Sequence, residues 1–346
     1  MNRRTFLTSL PALAIAPRLI AQTSRPSLAA LGINHVTIRV PDLKRSVEFY
    51  QTLFGMPIAA KQGTTTISLQ IGKGPQALGI SQAAAGAAAT IDHYCVGVAD
   101  FNVDRVLKAL EEWGFAKSNE RAPMKMMVRM RGPESGGAPG GTPEIYIVDA
   151  DGLVVQLQDS RYCGGAGPLG NVCASIEPPA QKGLIPLAGW SHLTMFVPDA
   201  KKSNDFYLGL FGTGIRSFQG PTAPTLAVGG SSSVEFLMYT GGGAPSPAPR
   251  PASINHFCLN LEGFNVEDIQ KKLESIGIKP RDTQTPGPVG PMRHYVSMRM
   301  PNRGGAPDGT PELYFTDPDG LLVQLQDVKY CGGSGVLGEG CPPVRL

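Results

Sequence analysis

Apolar and polar residues alternate along several short runs of this chain, and two of those runs carry a histidine. The run around His35 reads as a strand, followed by a helical stretch at 46–53 and by short strands between 65 and 81. A second strand, at His93, leads to a helix that sets Val103, Leu107 and Leu110 on one face. Strands at 126–130, 144–148 and 153–158 follow, with a turn signal at Asp149-Ala-Asp-Gly152. The predicted order is β-α-β-β-β, twice over.

The same pattern then recurs. Residues 141–165 reappear 168 positions later as 309–333, with 18 of 25 residues identical. The segment His35-Val-Thr-Ile-Arg-Val-Pro-Asp aligns with His192-Leu-Thr-Met-Phe-Val-Pro-Asp, and each is followed by Phe-Tyr-x-x-Leu-Phe-Gly. Asp92-His93-Tyr94-Cys95 aligns with Asn255-His256-Phe257-Cys258. A repeat of this length marks two copies of one unit, here called copy one and copy two.

Composition narrows the picture. The chain has 346 residues, 42% hydrophobic and 17% charged, which describes a globular protein rather than a disordered or membrane-embedded one. A net charge of +3 and the lack of any Lys/Arg-rich run exclude nucleic acid as an expected partner. The N-terminus differs in character. Arg3-Arg4 precedes a modestly apolar stretch broken by Pro11, Pro17 and Arg18, too interrupted for a membrane span. Residues 1–21 resemble a twin-arginine export signal, so the mature protein is expected in the periplasm or outside the cell, without a membrane anchor.

The cysteines fit that destination. Cys163 and Cys173 bound one glycine-rich loop, and Cys331 and Cys341 bound its counterpart at the same spacing. In an oxidising compartment these read as two local disulfides, with Cys95 and Cys258 left as buried thiols. The expected organisation is a copy at 30–163, a Gly/Pro-rich linker with a disulfide loop at 164–186, a copy at 187–330 and a disulfide-closed tail at 331–346.

Taken together, the histidine strands, the Phe-Tyr-x-x-Leu-Phe-Gly helices and the Asp-Pro-Asp-Gly turn at 317–320 resemble the vicinal oxygen chelate superfamily. That superfamily includes glyoxalase I, extradiol dioxygenases and antibiotic-resistance proteins. The resemblance implies an α+β fold of four βαβββ modules, paired into two half-open barrels that each surround a divalent metal (Fe, Mn or Zn). It also implies the ligands: His35, His93 and Gln156 in copy one, and His192, His256 and Gln324 in copy two. The family usually places glutamate where this chain has Gln156 and Gln324, so a bound ion keeps nearly its full charge and favours anionic chelators.

Other residues have looser expectations. Tyr146 and Tyr314 lie ten positions before the glutamines, a spacing that resembles the tyrosine that hydrogen-bonds substrate in extradiol enzymes. The histidine which that motif carries upstream is missing from 304–311. Glu235 is a candidate fourth ligand in copy two, and His294 a local residue or a proton shuttle. Arg131 and Arg299 could meet an anionic substrate or form exposed salt bridges, and Tyr162 and Tyr330 could be packing residues.

The expected function is metal-dependent chemistry on a small molecule held through two oxygens, extradiol-like oxygenation first. A glyoxalase-type lyase or isomerase, a non-catalytic small-molecule binder and a duplicate in which one copy only supports the other stay open. Within-copy pairing of modules is favoured over an arrangement that joins the first module to the fourth. Each copy is accordingly expected to fold alone.

Overall fold

The structure is a computed structural model that describes residues 27–173, 176–230, 233–241, 251–281 and 290–344. The twin-arginine segment lies outside the described residues.

Copy one runs β1 (Ala30–Val40), α1 (Leu43–Phe54), β2 (Ile58–Gln62), β3 (Thr66–Gln70), β4 (Ala77–Gln82), β5 (Thr90–Val98), α2 (Val103–Glu112), β6 (Ala116–Lys117), β7 (Lys125–Arg131), β8 (Thr142–Val148) and β9 (Val154–Asp159). Copy two repeats the order with β10 (Gly189–Phe196), α3 (Ala200–Phe211), β11 (Ile215–Phe218), β12 (Pro224–Ala227), β13 (Phe236–Thr240), β14 (Ser253–Leu261), α4 (Val266–Ser275), β15 (Lys279–Pro280), β16 (Arg293–Arg299), β17 (Thr310–Thr316) and β18 (Leu322–Asp327). The α+β expectation holds, with one short extra strand before β7 and before β16.

Each copy is one nine-stranded sheet, ordered β2-β3-β4-β1-β5-β9-β8-β7-β6 in copy one and equivalently in copy two. The two histidine strands are central antiparallel neighbours, and the glutamine strand lies parallel beside the second of them. Modules thus pair within a copy. Helix starts follow from local chemistry. The side chains of Asp42, Asn102, Asp199 and Asn265 each accept a backbone N–H of the first helical turn. Gly55 and Gly212 end α1 and α3 at φ of 68° and 55°, a backbone state that glycine adopts without a Cβ clash.

Packing follows a different rule from sheet closure. One continuous apolar core joins both copies. Helix α1 docks on the turn of copy two: the Tyr50 hydroxyl donates to Asp317 at 3.0 Å, Ser46 donates to Asp319 at 2.9 Å, and Arg45 pairs with Asp319. Helix α3 does the same to copy one, with Tyr207 donating to Asp149 and Ser203 to Asp151, both at 2.7 Å. The linker is also part of the fold. Ile185 is buried and donates its backbone N–H to Leu53, and Glu177 bridges to Ile58. Sheets close within each copy and the helices pack on their own sheets, while α1 and α3 also reach across to the other copy.

Candidate metal centres

Register alone brings the expected ligands of copy one together. Cys95 on β5 lies opposite His35 on β1 and beside Gln156 on β9, and His93 shares its face two residues earlier. All three ligand candidates are buried. His35 Nε2 and His93 Nε2 reach Gln156 Oε1 at 3.0 and 3.1 Å.

The groups behind the rings fix their tautomers. Asn34 gives its amide nitrogen to the Tyr162 carbonyl at 2.8 Å, so its oxygen faces His35 Nδ1, also at 2.8 Å. Asp92 can only accept, and it holds His93 Nδ1 at 2.7 Å. Each imidazole therefore carries its proton on Nδ1 and turns a bare Nε2 inward. Three acceptor atoms that converge in this way repel one another, and a cation between them removes the conflict. The Gln156 amide nitrogen is buried with no hydrogen-bond partner among the described residues.

Electrostatics agree. Burial, followed by the neighbouring His93, pushes the His35 pKa down to about 3, so the ring is neutral as a ligand must be. Burial opposes ionisation of Asp92, yet its hydrogen bonds from His93 and Arg39 and the nearby charge of Arg121 hold the carboxyl well below the usual range. The residues present thus fit a divalent ion bound by two imidazoles and one amide oxygen. Among the described residues no cluster of three His, Cys, Asp or Glu side chains forms, because the third donor is an amide.

Above this floor opens a polar cleft of about 210 Å³. Arg39, Arg121 and Arg129 line it. Arg39 and Arg121 share Asp92, and Arg129 stands 3.6 Å from Glu144. Tyr146 packs edge-on against His93 at 5.4 Å, and Tyr162 lies against His35 at the same centroid distance. Both hydroxyls donate to Glu144, at 3.4 and 2.6 Å. Burial, followed by the Glu144 charge, raises both tyrosine pKa values far above 10, so they act as donors.

Copy two preserves the triad and changes its roof. His192 Nε2 meets Gln324 Oε1 at 3.2 Å, Ser191 and Asn255 hold the two Nδ1 atoms, and His256 Nε2 is buried near Gln324 with no partner in hydrogen-bond geometry among the described residues. Burial lowers the His256 pKa to about 4 and depresses that of His192 further, in the latter case helped by the neighbouring His256. The register pairs His192 with Phe236 where His35 faces Ala77, and Met238 stands where copy one has Gly79. Phe236 stacks flat on His192, with centroids 4.4 Å apart and 6° between planes. Tyr314 packs on His256 and is itself covered by Tyr295 at 5.1 Å. Arg39 and Arg129 are replaced by Phe196 and Ser297.

Three sequence-level expectations change here. Glu235 is not a ligand: its carboxylate accepts from Ile33 N at 2.6 Å and Gln76 Nε2 at 2.7 Å, so it points at copy one. Arg131 and Arg299 are neither exposed nor in reach of a substrate. They are fully buried, each donating from Nε to a carboxylate, Glu144 at 2.7 Å and Glu312 at 2.8 Å. Tyr162 and Tyr330 are more than packing, since each flanks a triad histidine and donates to that carboxylate. His294 is local, bonded to Glu274 at 3.1 Å. Both expected disulfides are formed, and Cys95 and Cys258 are buried thiols. What sequence reasoning missed was the shared glutamate. Its signal was the doubled Thr-Pro-Glu before Tyr146 and Tyr314.

Known proteins share this construction. A trivalent organoarsenical cleaving enzyme from Thermomonospora curvata is 30% identical over 149 residues, spanning 41% of this chain and 93% of that relative. The fold resembles homoprotocatechuate 2,3-dioxygenase from Brevibacterium fuscum in complex with 3,4-dihydroxyphenylacetate, with a TM-score of 0.59, 19% identity, and 88% of this chain and 82% of that one covered. The Arthrobacter globiformis enzyme gives a TM-score of 0.59 and 19% identity, over 87% and 81%. The family profile matches residues 32–133 and 189–325, one stretch in each copy, and the chain belongs to the Glyoxalase/Bleomycin resistance protein/Dioxygenase superfamily.

Proposed function

We propose that the protein is a metal-dependent enzyme that acts, in the copy-one cleft, on a small anionic molecule bound through two adjacent oxygens. Extradiol-type ring-opening oxygenation is the leading reaction. The observation that carries this reading is the convergence of His35 Nε2, His93 Nε2 and Gln156 Oε1 beneath an open polar cleft. A divalent ion held there by three neutral donors would supply Lewis-acid chemistry toward two substrate oxygens.

The chain's own residues supply the rest. Asp92 keeps His93 in its ligating tautomer, and Asn34 does so for His35. Arg39, Arg121 and Arg129 set a positive field at the cleft, which draws in an anion and holds its charged end. Tyr146 stays protonated, and its hydroxyl, turned from the long 3.4 Å contact with Glu144, would donate to a substrate oxygen; Tyr314 holds the matching position in copy two. Residues 1–21 are read as a signal for the twin-arginine route. The two disulfides support an oxidising destination, and no helix among the described residues is long and apolar enough to cross a membrane.

A second reading, cleavage of an organoarsenical, is favoured by the relative from Thermomonospora curvata. Trivalent arsenic prefers thiols, however. Beside the copy-one triad the free thiol is Cys95, which is fully buried, and Cys163 is oxidised. Oxygen chelation therefore stands first.

One experiment separates them. Protein loaded in turn with Fe(II), Mn(II) or Zn(II) is given catechols that carry a carboxylate, and oxygen uptake is recorded beside release of inorganic arsenic from a trivalent organoarsenical. Uptake with Fe(II) or Mn(II), abolished in His93→Ala and reduced mainly in kcat by Tyr146→Phe, is expected. Loaded protein that does neither reaction would exclude both readings.

A further inference from the structure

Copy two combines features that do not belong to a working cleft. Its two imidazole nitrogens and one amide oxygen are grouped much as in copy one, with His192 Nε2 at 3.2 Å from Gln324 Oε1, and the third donor, His256 Nε2, is buried with no hydrogen-bond partner among the described residues. An unpartnered imidazole nitrogen inside a protein costs free energy unless something binds it. The space through which a substrate would arrive is filled. Phe236 is completely buried on the face of His192, where copy one has only Ala77 opposite His35. Phe236, Met238 and Tyr330 form a separate small apolar cluster.

We propose that the two centres are unequal, with an exchangeable ion open to substrate in copy one and a permanently enclosed structural ion in copy two, capped by Phe236 and Met238. The copy-one half of this statement rests on the function proposed above, and the copy-two half does not. A catalytic ion needs a coordination position that substrate can reach, and in copy two the apolar side chains cover that approach. The residue exchange is economical: Ala77 and Gly79 leave room over His35, and Phe236 and Met238 remove it over His192. The enclosed ion would brace β10, β14 and β18 at the centre of the copy-two sheet. Its binding free energy would then add to folding free energy.

The test uses the full chain loaded with Zn(II) alone, and follows transfer of zinc to a chromogenic chelator. Two phases of equal amplitude are expected. His93→Ala should remove the fast phase and His256→Ala the slow one, and only His256→Ala should lower the melting temperature markedly. Phe236→Ala should speed the slow phase by at least an order of magnitude. Ala77→Phe, which adds a ring to an open cleft and so does not depend on tolerance of a cavity, should slow the fast phase. A single phase, or a slow phase that survives His256→Ala, overturns the proposal. Inequality of the two phases without oxygen uptake or arsenic release would leave it standing while removing the catalytic reading, so the two failures are distinct.

Discussion

Asp92 shows how much of a metal centre lies behind its ligands. It holds His93 Nδ1 while two arginines hold it, so removing the carboxylate frees the ring and its tautomer together. Asp92→Ala should weaken metal binding in copy one roughly 10–100-fold, read by competition with a chelator, and leave copy two unchanged. Glu235 makes a different prediction. Burial raises its pKa from 4.5 to about 7, against the opposing hydrogen bonds from Ile33 and Gln76. The unfolded carboxyl releases its proton at lower pH than the folded one, so this group's contribution is full below pH 4.5 and is lost as pH rises through about 7. Urea midpoints of wild type minus Glu235→Gln, followed across that window, should fall with rising pH. A flat difference would mean that the carboxyl ionises freely at the copy interface.

At the scale of elements, the glycine-rich loops are braced twice. The Cys163–Cys173 bridge closes one loop, and the buried Arg131 reaches into it, donating from Nη2 to the Gly165 carbonyl at 2.8 Å. Opening the bridge by Cys163→Ala with Cys173→Ala should cost about 2–3 kcal/mol by chain entropy. Arg131→Met should cost more, about 3–5 kcal/mol, because buried Glu144 would lose its cation at 2.7 Å and keep only the longer ion pair with Arg129. Both are read from denaturant unfolding. The order matters: if the bridge proves costlier than the arginine, the buried pair contributes less than its geometry implies.

The whole molecule is held by exchange. Helix α1 caps the copy-two turn and α3 caps the copy-one turn, with tyrosine hydroxyls on buried aspartates at both ends. Tyr94 and Tyr239 add a hydroxyl pair at 2.6 Å between the copies. Residues 187–346 expressed alone would expose the faces that α1 and its neighbours cover. They should aggregate or associate into a dimer in which a second copy supplies the missing face, as size-exclusion chromatography with light scattering would show. A stable, monodisperse monomer of that half would mean that each sheet carries its own sufficient core.

Much of this protein is written locally. The duplication and both disulfides were legible because each depends on identity at fixed spacing, and the α+β modules and the two His/His/Gln sets because the motifs resemble a known superfamily. Strand period two then puts His93 and Cys95 on one face without reference to anything distant. What sequence could not decide was what lies across from a side chain. Glu235 immediately precedes Phe236, the first residue of β13, yet one faces copy one and the other covers His192. Arg131 reads as a surface charge until β8 brings Glu144 beside it. Such outcomes are set by register between strands far apart in the chain and by the packing of one copy on the other. No local pattern encodes them, since the same residue is ligand, latch or lid according to the partner that the tertiary fold places opposite it.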